Sequence, residues 1–124
     1  MPYSADTFNG EVQRFIGRLP ALKRCLDIGA GNGKHGRVIR AAHQNAHITA
    51  VEIERKYVEQ FDLNALYDRV ITTDAYNLIA NPDVAYDLVV FGDVLEHMRW
   101  ADGMSLLQFF AYRAKWILAI YPKP

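Results

Sequence analysis

The chain is short of cysteine, of net charge and of long apolar runs. It has one cysteine, Cys25, in 124 residues. That excludes a disulfide framework within the chain and any multi-cysteine metal site. Lysine plus arginine number 14 and aspartate plus glutamate 14, so the formal net charge is zero. The balance argues against a dedicated nucleic-acid or membrane-surface binder. No apolar run approaches the roughly 20 residues that a membrane-spanning helix needs; runs such as Leu88 to Phe91 and Trp116 to Tyr121 are far shorter. Met1 to Asp6 show no basic start followed by an apolar stretch, so no signal peptide is read and the cytoplasm is the expected compartment. Repeats, low-complexity tracts and linkers are also missing. What remains is 51% hydrophobic, 12% aromatic and 23% charged. That is a globular composition, and residues 1–124 are expected to form a single domain with its own core.

Hydrophobic spacing alternates between two periods along the chain. Val12, Phe15, Ile16 and Leu19 predict a helix over Gly10 to Leu19, stopped by Pro20. Arg24 to Ile28 reads as a strand, followed by a glycine-rich loop and a helix from Lys34 to about Gln44. His47 to Val51 is a second strand. Val58, Phe61, Ala65 and Leu66 predict one helix over Glu54 to Tyr67, and Val70 to Thr73 a short third strand. Ala75 to Asp83 reads as a loop with a helical turn. Tyr86 to Phe91 is continuously apolar, as in a strand covered on both faces. A helix from Asp102 to about Lys115 leads into a last strand, Trp116 to Tyr121, ended by Pro122. Five strands alternating with helices predict an α/β fold: a parallel sheet with right-handed crossovers, wrapped by helices. Ligands of such sheets bind outside the carboxyl ends of the strands. That singles out Gly29 to Gly33, Glu52, Asp74, Gly92 and Asp93.

Gly29-Ala30-Gly31-Asn32-Gly33 is the most informative stretch. Alternate glycines allow a tight turn and a close approach of backbone to ligand. The helix that follows aims its amide dipole at the same place. Gly31 to Gly36 also fits G-x-G-x-x-G, the dinucleotide fingerprint, and both readings use Glu52 on ribose hydroxyls. Charge favours one of them. A dinucleotide brings a pyrophosphate, whereas S-adenosylmethionine brings a sulfonium and an ammonium. Asp27, Glu52, Asp74 and Asp93 all stand at or near strand carboxyl ends, where converging carboxylates attract a cation and repel a diphosphate.

Leu26-Asp27-Ile28-Gly29-Ala30-Gly31-Asn32-Gly33 resembles the first motif of the class I S-adenosylmethionine-dependent methyltransferases. Val51-Glu52-Ile53 is similar to the second motif, Thr73-Asp74-Ala75-Tyr76 to the third, and Asp87 to His97 to the fourth. The resemblance runs from about Arg24 to Tyr121. It implies a Rossmann-like, doubly wound, mainly parallel five-stranded sheet of order 3-2-1-4-5, with helices on both faces. It also implies S-adenosylmethionine as methyl donor, S-adenosylhomocysteine as product and a small molecule as acceptor. Gly29, Ala30, Gly31 and Gly33 would form the turn beneath the methionine moiety, with Asp27 near its ammonium. Glu52 would hold the ribose and Ile53 would pack on adenine. Asp74 and Ala75 would face the adenine edge, and Gly92 and Asp93 would border the methyl donor.

Methyl transfer is an in-line displacement, so the protein supplies chiefly alignment. His97 is the candidate base for an acceptor that must lose a proton. Asp93, Glu96 and His97 lie too close in sequence to be expected as a metal site, and no metal is assigned. The family usually has seven strands. This chain ends after the fifth, which implies a form shortened at its C-terminal end. The last strand is then an apolar edge, expected to pair in a homodimer. The N-terminal helix is expected to cover one sheet face; the other reading folds it, with Tyr3 and Phe8, over the donor pocket. Two alternative functions stand beside methyl transfer: a donor-binding module without turnover, and a nicotinamide-dependent oxidoreductase.

Overall fold

Short apolar strands separated by amphipathic helices leave one economical arrangement, a parallel sheet covered on both sides. The computed structural model, which describes residues 8–92 and 94–120, has that arrangement. Strands β1 (Arg24–Ile28), β2 (His47–Val51), β3 (Arg69–Ile71), β4 (Tyr86–Gly92) and β5 (Ala114–Ile120) form one sheet of order β3-β2-β1-β4-β5. All pairings are parallel, with Leu26 of central β1 opposite Thr49 of β2 and Val89 of β4. The order predicted from the resemblance is therefore observed.

Successive side chains of a strand face opposite sides, and here they feed two cores. Cys25 points toward helices α1 (Asn9–Arg18), α2 (Lys34–Ala42), α3 (Arg55–Gln60) and α4 (Leu63–Leu66), packing with Ile16, Ile39, Val58 and Leu63. Leu26 and Ile28 point to the other face, where helix α5 (Trp100–Ala111) buries Leu106 and Phe110. Burial pushes the Cys25 thiol up to about 12, which leaves it an unreactive core group. Helix α1 packs through Val12 and Ile16 on the first of these faces and is not part of the cavity described below. Tyr3 lies outside the described residues.

The expected single helix over 54–67 is two. Asp62 adopts φ 49°, a left-handed conformation that ends α3 and starts α4. The loop after β3 is a 3-10 helix, Ala75–Ala80, whose first turn is capped by Asp74 accepting from the Tyr76 N–H at 3.0 Å. A second 3-10 turn, Leu95–His97, precedes α5, which starts two residues earlier and ends sooner than its spacing predicts. Strand β5 starts at Ala114 rather than at Trp116.

Candidate functional site

The glycine turn is shaped by its own hydrogen bonds. The Gly29 and Ala30 N–H groups both donate to the Val51 carbonyl, at 2.8 and 3.2 Å, and Gly33 N–H donates to the Ala30 carbonyl at 2.9 Å. Gly31 N–H donates to Glu52 Oε1 at 2.8 Å, and Lys34 N–H to Asn32 Oδ1 at 3.1 Å. Gly29, Gly31 and Gly33 all have positive φ, at 73°, 55° and 86°. A side chain is costly in that region. A Cβ on Gly33 would also stand 2.6 Å from Leu66 Cδ2. The second Glu52 oxygen, Oε2, accepts from the Glu54 N–H at 2.9 Å. One carboxylate thus staples the turn after β1 to the turn after β2, and Glu52 is 6% exposed.

At these strand ends lies a cavity of about 520 Å³, a size suited to a nucleoside-sized ligand. It sits at the end of β1, where β2 and β3 lie to one side and the chain, returning from β3, places β4 on the other, the switch point of the sheet. Its lining includes Gly29, Glu52, Ile53, Asp74, Ala75, Gly92 and His97, each singled out from the sequence. Ile53 is 62% exposed, so it is a wall of the cavity and not a core residue. Gly92 makes room for the His35 ring, whose Cε1 and Nδ1 would lie 2.6 Å from a Cβ there. His97 Nε2 stands 3.4 Å from Glu96 Oε1.

The acids do not all converge. Asp27 is fully buried and absent from the cavity lining. It shares the parity of Cys25 on β1, accepts a hydrogen bond from the Tyr67 hydroxyl and lies behind the turn, against α2. Burial raises its pKa from the usual carboxylate range, opposed by His35 and by the Tyr67 hydrogen bond; nearby Glu52 raises it further. Burial and the Asp27 carboxylate also raise the Tyr67 hydroxyl. The other Asp27 oxygen, Oδ1, has no partner among the described residues. Asp27 thus stands behind the turn and not on the cavity surface. Ala30, Gly31 and Gly33 likewise shape the turn without lining the cavity. Asp93 lies outside the described residues.

Sequence reasoning missed part of the wall. Tyr57, Met98, Arg99 and Asp102 line the cavity, as do Glu54 and Thr73. Several of these follow the ends of β2, β3 and β4, which the sheet rule marks in general but not residue by residue. Met98 and Arg99 are brought in by the 3-10 turn before α5, which no periodicity announces.

The chain belongs to the methyltransferase domain family, whose pattern matches residues 25–113. Solved structures agree with it in fold. One is an S-adenosylmethionine-dependent methyltransferase from Archaeoglobus fulgidus, 23% identical with a TM-score of 0.68, covering 85% of this chain and 45% of that one. Another is the N-methyltransferase NodS from Bradyrhizobium japonicum in complex with S-adenosylhomocysteine, 13% identical with a TM-score of 0.70, covering 86% and 54%. A third is a caffeoyl-CoA O-methyltransferase assignment from Staphylococcus aureus, 17% identical with a TM-score of 0.66, covering 91% and 55%. This chain thus spans about half the length of each. No curated protein matches it.

Proposed function

We propose that the chain binds S-adenosylmethionine in this cavity and transfers its methyl group to a small-molecule acceptor. One observation carries the choice of ligand: the amides of the glycine turn are already engaged. Gly29, Ala30, Gly31, Gly33 and Lys34 all donate within the protein, and one of their acceptors is the Glu52 carboxylate itself. A diphosphate needs free N–H groups at this place and meets a carboxylate instead. A cationic nucleoside needs no such donors.

The bound donor supplies an electrophilic methyl group on a sulfonium. The rest is assigned to this chain's residues. Each Glu52 oxygen keeps a second lone pair, and accepts a ribose hydroxyl with it. Ile53 covers the adenine face, while Asp74 and Ala75 meet its polar edge. The turn of Gly29, Ala30, Gly31 and Gly33 excludes side chains beneath the methionine part, and Gly92 with Asp93 borders the methyl group. Asp27 acts from behind, holding the start of α2. His97, oriented by Glu96, takes a proton from an acceptor that must lose one. The protein is assigned to the cytoplasm, with these residues as one domain that acts on a small molecule without nucleic acid or membrane. No helix among its described residues is long and apolar enough to cross a bilayer.

Calorimetric titration with S-adenosylhomocysteine and NADH, alongside labelled-methyl transfer to candidate acceptors, tests this reading. Binding of the homocysteine product and transfer of label support it. Binding without transfer to any acceptor gives the donor-binding module, and tight NADH binding alone overturns the donor assignment.

A further inference from the structure

The walls of the cavity differ in charge. The wall after β2 and β3 carries Glu52, Glu54 and Asp74 and no cation, whereas the wall after β4 brings His97, Arg99 and Asp102. Arg99 is exposed, and its guanidinium makes no hydrogen bond or ion pair with any described residue. Asp102, three residues further on, lines the same cavity but is not paired with it. The methyl-donor reading occupies the acidic wall and leaves the one that carries Arg99. A guanidinium at a cavity wall, without a partner among the described residues, is a ready bidentate donor for a carboxylate or phosphate. Next to it in the chain, Trp100 stands 83% exposed. His97, the proton acceptor assigned above, is two residues earlier, at the end of the 3-10 turn Leu95–His97.

From this juxtaposition we infer that the methyl acceptor is an anionic molecule. Its carboxylate or phosphate docks on Arg99, and its nucleophilic group is thereby presented toward His97 and the donor. The inference rests on the methyl-transfer reading for its chemistry, but the anion site itself does not require the donor. Binding at Arg99 breaks no bond; it sets orientation, and the charge pairing selects acids over neutral analogues.

Benzoate and its neutral counterpart benzamide are the probes, titrated into the protein alone and into the protein loaded with S-adenosylhomocysteine. Binding is followed by amide NMR shifts. Benzoate is expected to move the resonances of residues 97 to 102, with benzamide weaker by about tenfold. Arg99→Gln should abolish the preference and Arg99→Lys should keep part of it, while both retain the native spectrum elsewhere. Equal binding of the two probes, or a benzoate preference that survives Arg99→Gln, overturns the inference. So does a tenfold loss of S-adenosylhomocysteine affinity in Arg99→Gln, because Arg99 would then serve the donor's own carboxylate. Failure of the homocysteine product to bind the parent protein sinks the donor reading alone, since the titrations on the unloaded protein still decide the anion site.

Discussion

Tyr67, Gly36 and Asp27 show how much of the turn is held from behind. The Tyr67 ring lies over Gly36 so closely that a Cβ at 36 would overlap its hydroxyl and ring carbon. The same hydroxyl bonds Asp27. Gly36→Ala should cost about 1–3 kcal/mol, as overpacking of a filled core does. Urea denaturation measures it, and Tyr67→Leu in the same chain should recover part of the loss. Asp27 sets a pH dependence. Its native pKa is raised, so the native state binds its proton more tightly than the unfolded chain does. The stability it contributes is complete below the ordinary aspartate range and is lost as pH rises through the raised value. Asp27→Asn keeps an acceptor for Tyr67 and cannot ionise. Its stability should therefore fall less than that of the parent protein above about pH 4, read from denaturation midpoints at several pH values. Glu52→Gln belongs at this scale too. The amide still accepts from one N–H group but loses the charge and faces the other N–H with a donor. Affinity for S-adenosylhomocysteine should drop by about 1.5–3 kcal/mol by calorimetry, and an unchanged value would remove Glu52 from the donor site.

Strand ends divide the labour among the acids. Glu52 and Asp74, after the carboxyl ends of β2 and β3, line the cavity, whereas Asp87 and Asp68, at the opposite ends of strands, tie elements together. Asp87, near the start of β4, accepts from the Lys23 and Arg24 N–H groups at 2.6 and 3.1 Å and lies 3.4 Å from Lys115 on β5. Asp68, just before β3, accepts from the Ile48 N–H at 2.8 Å and from Arg40 on α2 at 2.7 Å. Both carboxyls are held below the usual range, first by the backbone hydrogen bond from Lys23 or Ile48. Their contribution is present above the ordinary aspartate pKa and is lost as pH falls through the lowered value, the reverse of Asp27. Asp87→Asn should lower stability at neutral pH and flatten its decline below about pH 4; an equal loss at every pH would show that ionisation is irrelevant there. These ties also mark where sequence reading stops. The strands were legible because their apolar runs end at Gly29, Glu52 or Gly92, where the sheet rule locates ligands. Asp62 was not legible, since aspartate tolerates a left-handed position without requiring one and the helical spacing runs through it. The facing of Asp27 was available in principle. It has the parity of Cys25, a core residue, and an alternating strand turns both to the side opposite Leu26 and Ile28.

The sheet as a whole is unbalanced. Strand β3 lies at one edge with three residues, whereas β5 lies at the other with seven, and among the described residues no strand pairs with its outer side. A long apolar edge is open to pairing. Lys115 is the only charge on β5, and Trp116 remains 40% exposed with its ring edge-on to Phe15 at 6.4 Å between centroids. The groove beside it, between α1 and β5, is lined by Phe8, Val12, Phe15 and Leu118. We propose that two copies join there. A two-fold axis would run the paired β5 strands antiparallel and make one continuous sheet, with the same patch used by both partners. The parent protein should then sediment at about twice the 14.1 kDa chain mass. Trp116→Lys puts a second cation on the strand next to Lys115, a charge that the paired edge would have to desolvate. It should shift the protein to the monomer without altering its circular dichroism. A parent protein that sediments as a monomer at high concentration would exclude the paired edge, and the apolar groove would then have to be covered from within a single molecule.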